Sequence, residues 1–366
     1  MLNKLIIFLF IFYKYNVFSD IKCSCCNNNK KKKQNENIID DKIIIKNKNN
    51  KIINENNKKE FFFNEEKEKN KLIINNIFNS KIGLKNITNT CYINVAIQLL
   101  IHDKIFLNNF FNLYFLNKNN KENIVSNNFY KLLLNINKKI KKNEKIENNN
   151  EKKNIIIPNF KFKYSIAKKN RDIKNFKIYK QNDSFSFFKL LLMNLKYELN
   201  SNIKDDINYY QNNNKNNLKI DENFYNIIEF SLLNNNNNSI KSFINEYNEI
   251  LKKNINTNKN LIIRLKRGGK DKNNKSIKIK EEIYIDDNII IDNKLYFLKS
   301  IVIHIGNKNS CGHYINVTKI NNEWYCFSDT ECKYCNVRDI NDFNFENKID
   351  NNVKNNSYYI LYTIDK

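Results

Sequence analysis

Gly83-Leu84-Lys85-Asn86-Ile87-Thr88-Asn89-Thr90-Cys91-Tyr92-Ile93-Asn94, continuing through Val95-Ala96-Ile97-Gln98-Leu99-Leu100, decides how the rest of this chain is read. Tyr92, Val95, Ala96, Leu99 and Leu100 recur at helical spacing, and Asn89-Thr90 supplies N-cap chemistry, so a helix is expected to start at or next to Cys91. A thiol there would feel the positive end of the helix dipole, which lowers its pKa. A thiol nucleophile also needs a base, normally adjacent in the fold and distant in sequence. Gly312-His313-Tyr314 offers one, followed by Trp324-Tyr325-Cys326-Phe327-Ser328-Asp329. The two segments together point to hydrolysis of an amide or ester through a thioester.

Composition sharpens that signal. The chain is rich in Asn, Lys and Ile, and its 366 residues include only 5 Gly, 1 Pro, 3 His and 1 Trp. An average protein of this length holds about 25 Gly. Residues this rare tend to survive such drift where nothing else serves. Gly83, Gly306, Gly312, His304, His313 and Trp324 all fall in or beside the two segments. The net charge of +25 comes from lysines scattered among asparagines without interleaved aromatics. That pattern reads as solvated loops, and no nucleic-acid partner is expected.

The eight cysteines (Cys23, Cys25, Cys26, Cys91, Cys311, Cys326, Cys332 and Cys335) do not form the framework of a secreted disulfide protein. Cys332-Lys-Tyr-Cys335 has metal-ligand spacing, but no second pair lies at a useful distance to complete four zinc ligands. Thiols in a reducing compartment are the expectation, with no metal and no cofactor. At the N-terminus, Leu5–Tyr13 is a nine-residue apolar run after a short basic start, too short for a span of about 20 residues. Residues 1–20 fit a signal-like segment, an anchor or an incidental apolar stretch. The cysteine cluster beside Lys30–Lys33 would suit acylation and weak membrane association of an otherwise cytoplasmic protein.

Residues 21–80 read as a disordered Asn/Lys-rich linker, and residues 81–366 as one catalytic domain, expected to be a monomer. Within it, residues 117–153 read as a loop insertion, and 201–217 and 234–238 as loops. Ser184–Leu192 is a strongly apolar helical run. Strands are expected over 261–266, 282–285, 296–304, 314–320, 323–327 and 358–362. Helices first and an antiparallel sheet second make an α+β arrangement, with Cys91 on a helical lobe and His313 on the sheet lobe.

These residues resemble the ubiquitin-specific protease family, a papain-like group of deubiquitinases. Its cysteine box, roughly G-L-x-N-x-G-N-T-C-Y-x-N-S-x-x-Q, is matched here except at Thr88 and Val95. Its histidine box is matched by His304-Ile305-Gly306, Gly312-His313-Tyr314 and Trp324 to Asp329, with Ser328 where Asp or Asn is usual. Leu261–Arg267 and Tyr359–Tyr362 resemble two further family strands, so the likeness spans about 82–364. It implies a helical thumb lobe, a β palm lobe and reduced, zinc-free fingers, since no Cys lies between 92 and 310.

The resemblance also implies roles. Cys91 would be the nucleophile, His313 the base and Asn86 the oxyanion donor, with Ser328 or Asp329 as third member. Of that pair, Asp329 is expected to have the larger effect, because a carboxylate stabilises imidazolium more than a hydroxyl does. Gln181-Asn182-Asp183 resembles the family's Q-Q-D, which makes Asp183, with Gln181, a candidate for binding the basic ubiquitin tail. Gly312 and Tyr314 would line the channel that admits a Gly-Gly tail. His102 would lie about 16 Å along the helix from Cys91, out of reach, and His304 on its apolar strand reads as a hydrogen-bonded structural group. Ubiquitin and its conjugates are the implied partners. A non-cutting ubiquitin-binding module and a protease for a ubiquitin-like modifier are the alternatives.

Overall fold

A computed structural model of the chain describes residues 65–117, 122–144, 156–157, 160–169, 181–199, 224–232, 238–246, 260–270, 276–308, 311–345 and 352–364, with the single residues 120, 273 and 274. Contacts divide the chain between Glu66 and Lys67, and the fold is that of the unit beginning at Lys67. The expectations for residues 1–20, for 201–217 and for most of 234–238 fall outside the described residues, as does much of the region where fingers would lie.

The longer labelled helices come first. They are α1 (Cys91–Ile101), α2 (Lys104–Asn117), α3 (Ile124–Glu144), α4 (Phe160–Lys169) and α5 (Ser184–Leu199). Short strands β1 (Gly83–Leu84) and β2 (Ile156–Ile157) pair in parallel among them. Then follow β3 (Tyr225–Ser231), β4 (Asn260–Lys266), β5 (Gly268–Lys270), β6 (Ser276–Lys278), β7 (Asn288–Ile291) and β8 (Lys294–Lys308). The chain continues with β9 (Cys311–Ile320), β10 (Glu323–Ser328), β11 (Glu331–Tyr334), the one-turn α6 (Val353–Asn356) and β12 (Ser357–Thr363). The main sheet runs β11-β10-β9-β8-β12-β4-β3, with β7 paired to β8.

Side-chain alternation explains why β12 lies centrally. Tyr359 and Leu361 join the core shared with the helices, while Ile360 and Tyr362 join the core on the opposite face. A strand apolar on both sides is stable only with both faces covered. All seven of its residues are buried. α1 is equally immersed, with all eleven residues buried, and lies against β9 and α5. Arg267, just after β4, is fully buried and donates to the backbone oxygens of Ser357, Ile279, Glu281 and Lys354. It ties the beginning of β12 to the chain leading away from β4.

Five sequence expectations need correction. Residues 117–153 were expected to be a loop insertion, but Ile124–Glu144 is helical. Val125, Phe129, Leu132, Leu133 and Ile136 are buried along one face, a period the intervening Asn and Lys obscured. The linker expectation also fails over 67–78, a helical segment whose Ile73, Ile74 and Ile77 enter the core. The sheet is mixed rather than antiparallel, because β3 pairs with β4 in parallel. Residues 282–285 form only one bridge, Ser239 to Tyr284, although Ile283 and Ile285 are buried; the strand in this region is β7. Thr90 does stand at the N-cap of α1, but its hydroxyl accepts from the Ile87 N–H at 2.8 Å, in the preceding loop, and does not cap the helix.

No described helix is long and apolar enough to cross a membrane.

Candidate active site

The cysteine arrives through a tightly held loop. Thr88 and Asn89 both have φ of 54°, the left-handed region. That region suits Gly or Asn and is costly for a β-branched Thr. The loop persists because it is bonded from both sides. The Asn86 side-chain oxygen accepts from the Thr90 N–H at 2.9 Å and from its hydroxyl at 3.2 Å. Gln98 donates to the Ile82 carbonyl at 2.7 Å, fixing the approach of the chain over α1. Gly83 must be glycine, since a Cβ there would sit 2.2 Å from the Thr330 backbone oxygen.

Two hydrogen-bonded groups then join the cysteine loop to the β10–β11 turn. Asn86 Nδ2 donates to one carboxylate oxygen of Asp329 at 2.8 Å, and Asn94 Nδ2 donates to the other at 2.7 Å. Asn94 also donates to the Leu84 carbonyl at 3.1 Å, and the Leu84 N–H donates to the Asp329 backbone oxygen at 2.7 Å. Asp329 is therefore bound to the cysteine segment. The residue at the imidazole is Ser328, whose Oγ lies 2.9 Å from His313 Nε2. The expected Ser328/Asp329 pair divides into two different jobs. Asn94 was not among the candidate site residues, although the cysteine box marks its position: the motif gives the residue but not the Asp329 carboxylate it bonds.

Cys91 and the His313 strand meet at the next residue, Tyr314, whose backbone N–H points at the Cys91 sulfur. The expected lowering of the thiol pKa by the helix terminus is reversed. Burial pushes Cys91 up, the Asp329 charge adds to this, and the N–H groups of Tyr314, Tyr92 and Cys91 itself oppose it. The balance at this position favours the neutral thiol over the anion.

Around His313 the backbone is built on two glycines. Gly312 has φ of +155°, and a Cβ on it would lie 2.5 Å from His304 Nε2 and 2.3 Å from the Ile305 oxygen. Gly306, across the ladder, has φ of +158°. Gln181 donates to the Gly312 carbonyl, linking the approach to α5 with this strand. Tyr314 contributes backbone to the site, while its ring is buried and packs on His304 at 4.6 Å. Asp183 has its oxygens engaged internally. One accepts from the Ser186 N–H and hydroxyl at 2.7 Å, capping α5, and the other from the Tyr358 hydroxyl. Arg264, 4.0 Å away, and these bonds hold the Asp183 pKa down despite burial.

The other two histidines are structural, in different ways. His102 follows α1, with Nδ1 2.8 Å from the Gln98 carbonyl and Nε2 2.9 Å from the Ser80 carbonyl. His304 was expected to be hydrogen-bonded, yet among the described residues its buried Nε2 has no partner, and it lies beneath Gly312. Burial lowers both pKa values to about 4, below the unfolded value of about 6.5. A histidine whose folded pKa is depressed contributes stability that is full above the unfolded value and lost as pH falls toward the folded one. Denaturant melts at pH 7.5 and pH 5 should differ by about 2 kcal/mol for each of the two groups. His102→Gln should reduce that difference, and an unchanged pH dependence would count against a buried neutral His102.

Among the described residues, no three of His, Cys, Asp or Glu are grouped to hold a metal ion. Cys311, Cys326, Cys332 and Cys335 are free, and burial pushes the last three thiols well up.

A family model described as ubiquitin carboxyl-terminal hydrolase matches residues 82–362. Among solved structures, the chain is similar to the SAGA DUB module Ubp8/Sgf11/Sus1/Sgf73 bound to monoubiquitin, at 18% identity and a TM-score of 0.49, over 79% of this chain and 70% of that one. It is also similar to that module bound to ubiquitin aldehyde, at 17% identity and a TM-score of 0.48, over 78% of this chain and 70% of that one. No curated protein matches the chain.

Proposed function

The chain belongs to the ubiquitin carboxyl-terminal hydrolase family, and from that premise we propose that it is a thiol-dependent deubiquitinase with Cys91 as nucleophile and His313 as general base. The observation that carries this reading is the junction of the two segments. Ser328 sits on His313, and Asp329, the next residue, sits on Asn86 and Asn94 beside Cys91. Such a junction fits an α+β, papain-like fold in which a helical lobe and a sheet lobe each bring half of the chemistry.

The steps follow from what each atom already touches. With His313 Nε2 engaged by Ser328, Nδ1 is the nitrogen left to take the Cys91 proton. The sulfur then attacks the carbonyl carbon of ubiquitin's terminal glycine, and the C=O electron pair moves to oxygen. The second N–H of Asn86 Nδ2 and the Cys91 backbone N–H, a first-turn donor with no intrahelical partner, stabilise that oxyanion. Collapse breaks the C–N bond, and the leaving lysine amine takes the proton from His313. Water attacks the thioester, gives its proton to His313 and releases ubiquitin as the acid, and the thiol is restored. In this scheme Asp329 stays clear of the imidazole and holds Asn86 at the oxyanion.

The decisive experiment is incubation of the folded protein with ubiquitin whose C-terminus carries a thiol-reactive warhead. A covalent adduct on Cys91 is expected; an adduct on Cys311 or Cys326, or none at all, would overturn the assignment. The two neighbours make a second test. Asp329→Ala should lower kcat by about 10²–10³-fold, the scale of losing an oriented oxyanion donor. Ser328→Ala should lower it by about tenfold, the scale of one neutral hydrogen bond. The reverse order in folded variants would transfer the larger role to the hydroxyl.

A further inference from the structure

β8 loses one of its two neighbours before it reaches the active site. Its pairing with β12 ends at Ile303, opposite Ser357. Its pairing with β9 runs on through His304 opposite Tyr314 and Ile305 opposite His313. Past Ile303, no strand among the described residues donates to the carbonyls on the edge of β8 that β12 had covered. A buried carbonyl without a donor keeps its full desolvation penalty.

Lys278, the last residue of β6, fills that place. Its Nζ donates to the His304 carbonyl, to the Gly306 carbonyl at 3.2 Å and to Asn356 Oδ1 at 2.9 Å. An ammonium has three N–H donors and here finds three acceptors. His304 and Gly306 are two apart on one strand, so their carbonyls point the same way, and Ile305 between them is the residue paired with His313. The side chain is only 8% exposed, and its three partners are neutral. Burial, with Arg267 and Lys280 adding repulsion, brings its pKa down to about 7. A lysine placed at that cost, two strands from the base, is not a solvated surface charge.

We propose that Lys278 is a positioning residue of the catalytic centre: its amino group replaces the missing strand neighbour of β8 and thereby fixes the His313 backbone against Cys91. The proposal rests on the deubiquitinase reading for its consequence and on the hydrogen bonds for its geometry. Without that amino group, the carbonyls of His304 and Gly306 lose this donor, and the strand end shifts to find others. A displacement of about 1 Å at a catalytic group is enough to cost about 10²-fold in rate.

Lys278→Met and Lys278→Gln in the full chain test this, using turnover of a fluorogenic ubiquitin substrate, thermal melts and ring-nitrogen NMR of the three histidines. For Lys278→Met we expect kcat lower by about 100-fold and KM within about twofold. The His313 resonances should move while those of His102 stay in place. Lys278→Gln, which keeps two N–H donors, should show a loss of about tenfold with the same direction of shift. If the Met variant does not fold, the Gln variant carries the test. A folded variant with unmoved His313 resonances, or a loss confined to KM, overturns the proposal. A wild-type protein that turns over no ubiquitin substrate would instead refute the deubiquitinase reading, and the histidine resonances would still decide the role of Lys278.

Discussion

Cys91→Ser is expected to lower turnover of ubiquitin conjugates by about 10⁴-fold or more and to abolish adduct formation with the ubiquitin warhead. Ubiquitin affinity should remain close to wild type. The exchange removes one polarisable atom and keeps its volume and hydrogen-bonding capacity almost unchanged. What it removes is acidity: a hydroxyl is far harder to deprotonate than a thiol, and burial at this position disfavours any anion further. α1 should be indifferent to the change, since the side chain stands at the first helical position and the ten residues after it supply the packing. Titration of labelled ubiquitin checks the affinity, and a gel shift checks the adduct. A serine variant that still cleaves conjugates would place the nucleophile elsewhere.

His313→Ala should cost about 10³–10⁴-fold in turnover, the range of a general base that is used in both halves of the reaction. The loss should be in kcat, because in the proposed scheme the imidazole makes the anion and then activates water. His102→Ala should leave kcat within about twofold in whatever fraction folds, because its ring is turned into the Ser80 and Gln98 carbonyls. His304→Ala removes a buried ring stacked on Tyr314, and its main effect should be on the melting temperature. Steady-state kinetics with circular dichroism on the three alanine variants separates these outcomes. Equal kcat losses in folded His304 and His313 variants would show that the base has been misassigned.

Much of the fold was legible because its driving forces are local. The apolar runs of β4, β8, β9 and β12 and the helical period after Cys91 appear in the sequence as they appear in space. α3 escaped notice because its apolar stripe is diluted by asparagine and lysine, which are everywhere in this chain and so carry little information about exposure. The mixed character of the sheet escaped for another reason. Nothing in the alternation along β3 says whether its neighbour runs with it or against it. At the site, Cys91 and His313 were marked by rare company. The division of labour between Ser328 and Asp329 was not, because it depends on which way two adjacent side chains point at a turn. Asp329 occupies left-handed backbone, with φ of 50°, and there it meets Asn86 and Asn94. Lys278 was invisible as one lysine among many, and only the end of a strand pairing reveals why it is buried.

The position of β12 bears on how such a protein is made. It is the last described strand in the chain, yet it sits between β8 and β4, which cannot complete their ladders until it arrives. Asn86 likewise finds Asp329 only after 243 further residues. Contacts that close so long a loop form late and slowly. While this chain is still being synthesised, the segment around Cys91 emerges from the ribosome before His313 and Asp329 do. On the proposed reading, the topology itself delays the chemistry until β12 has been made.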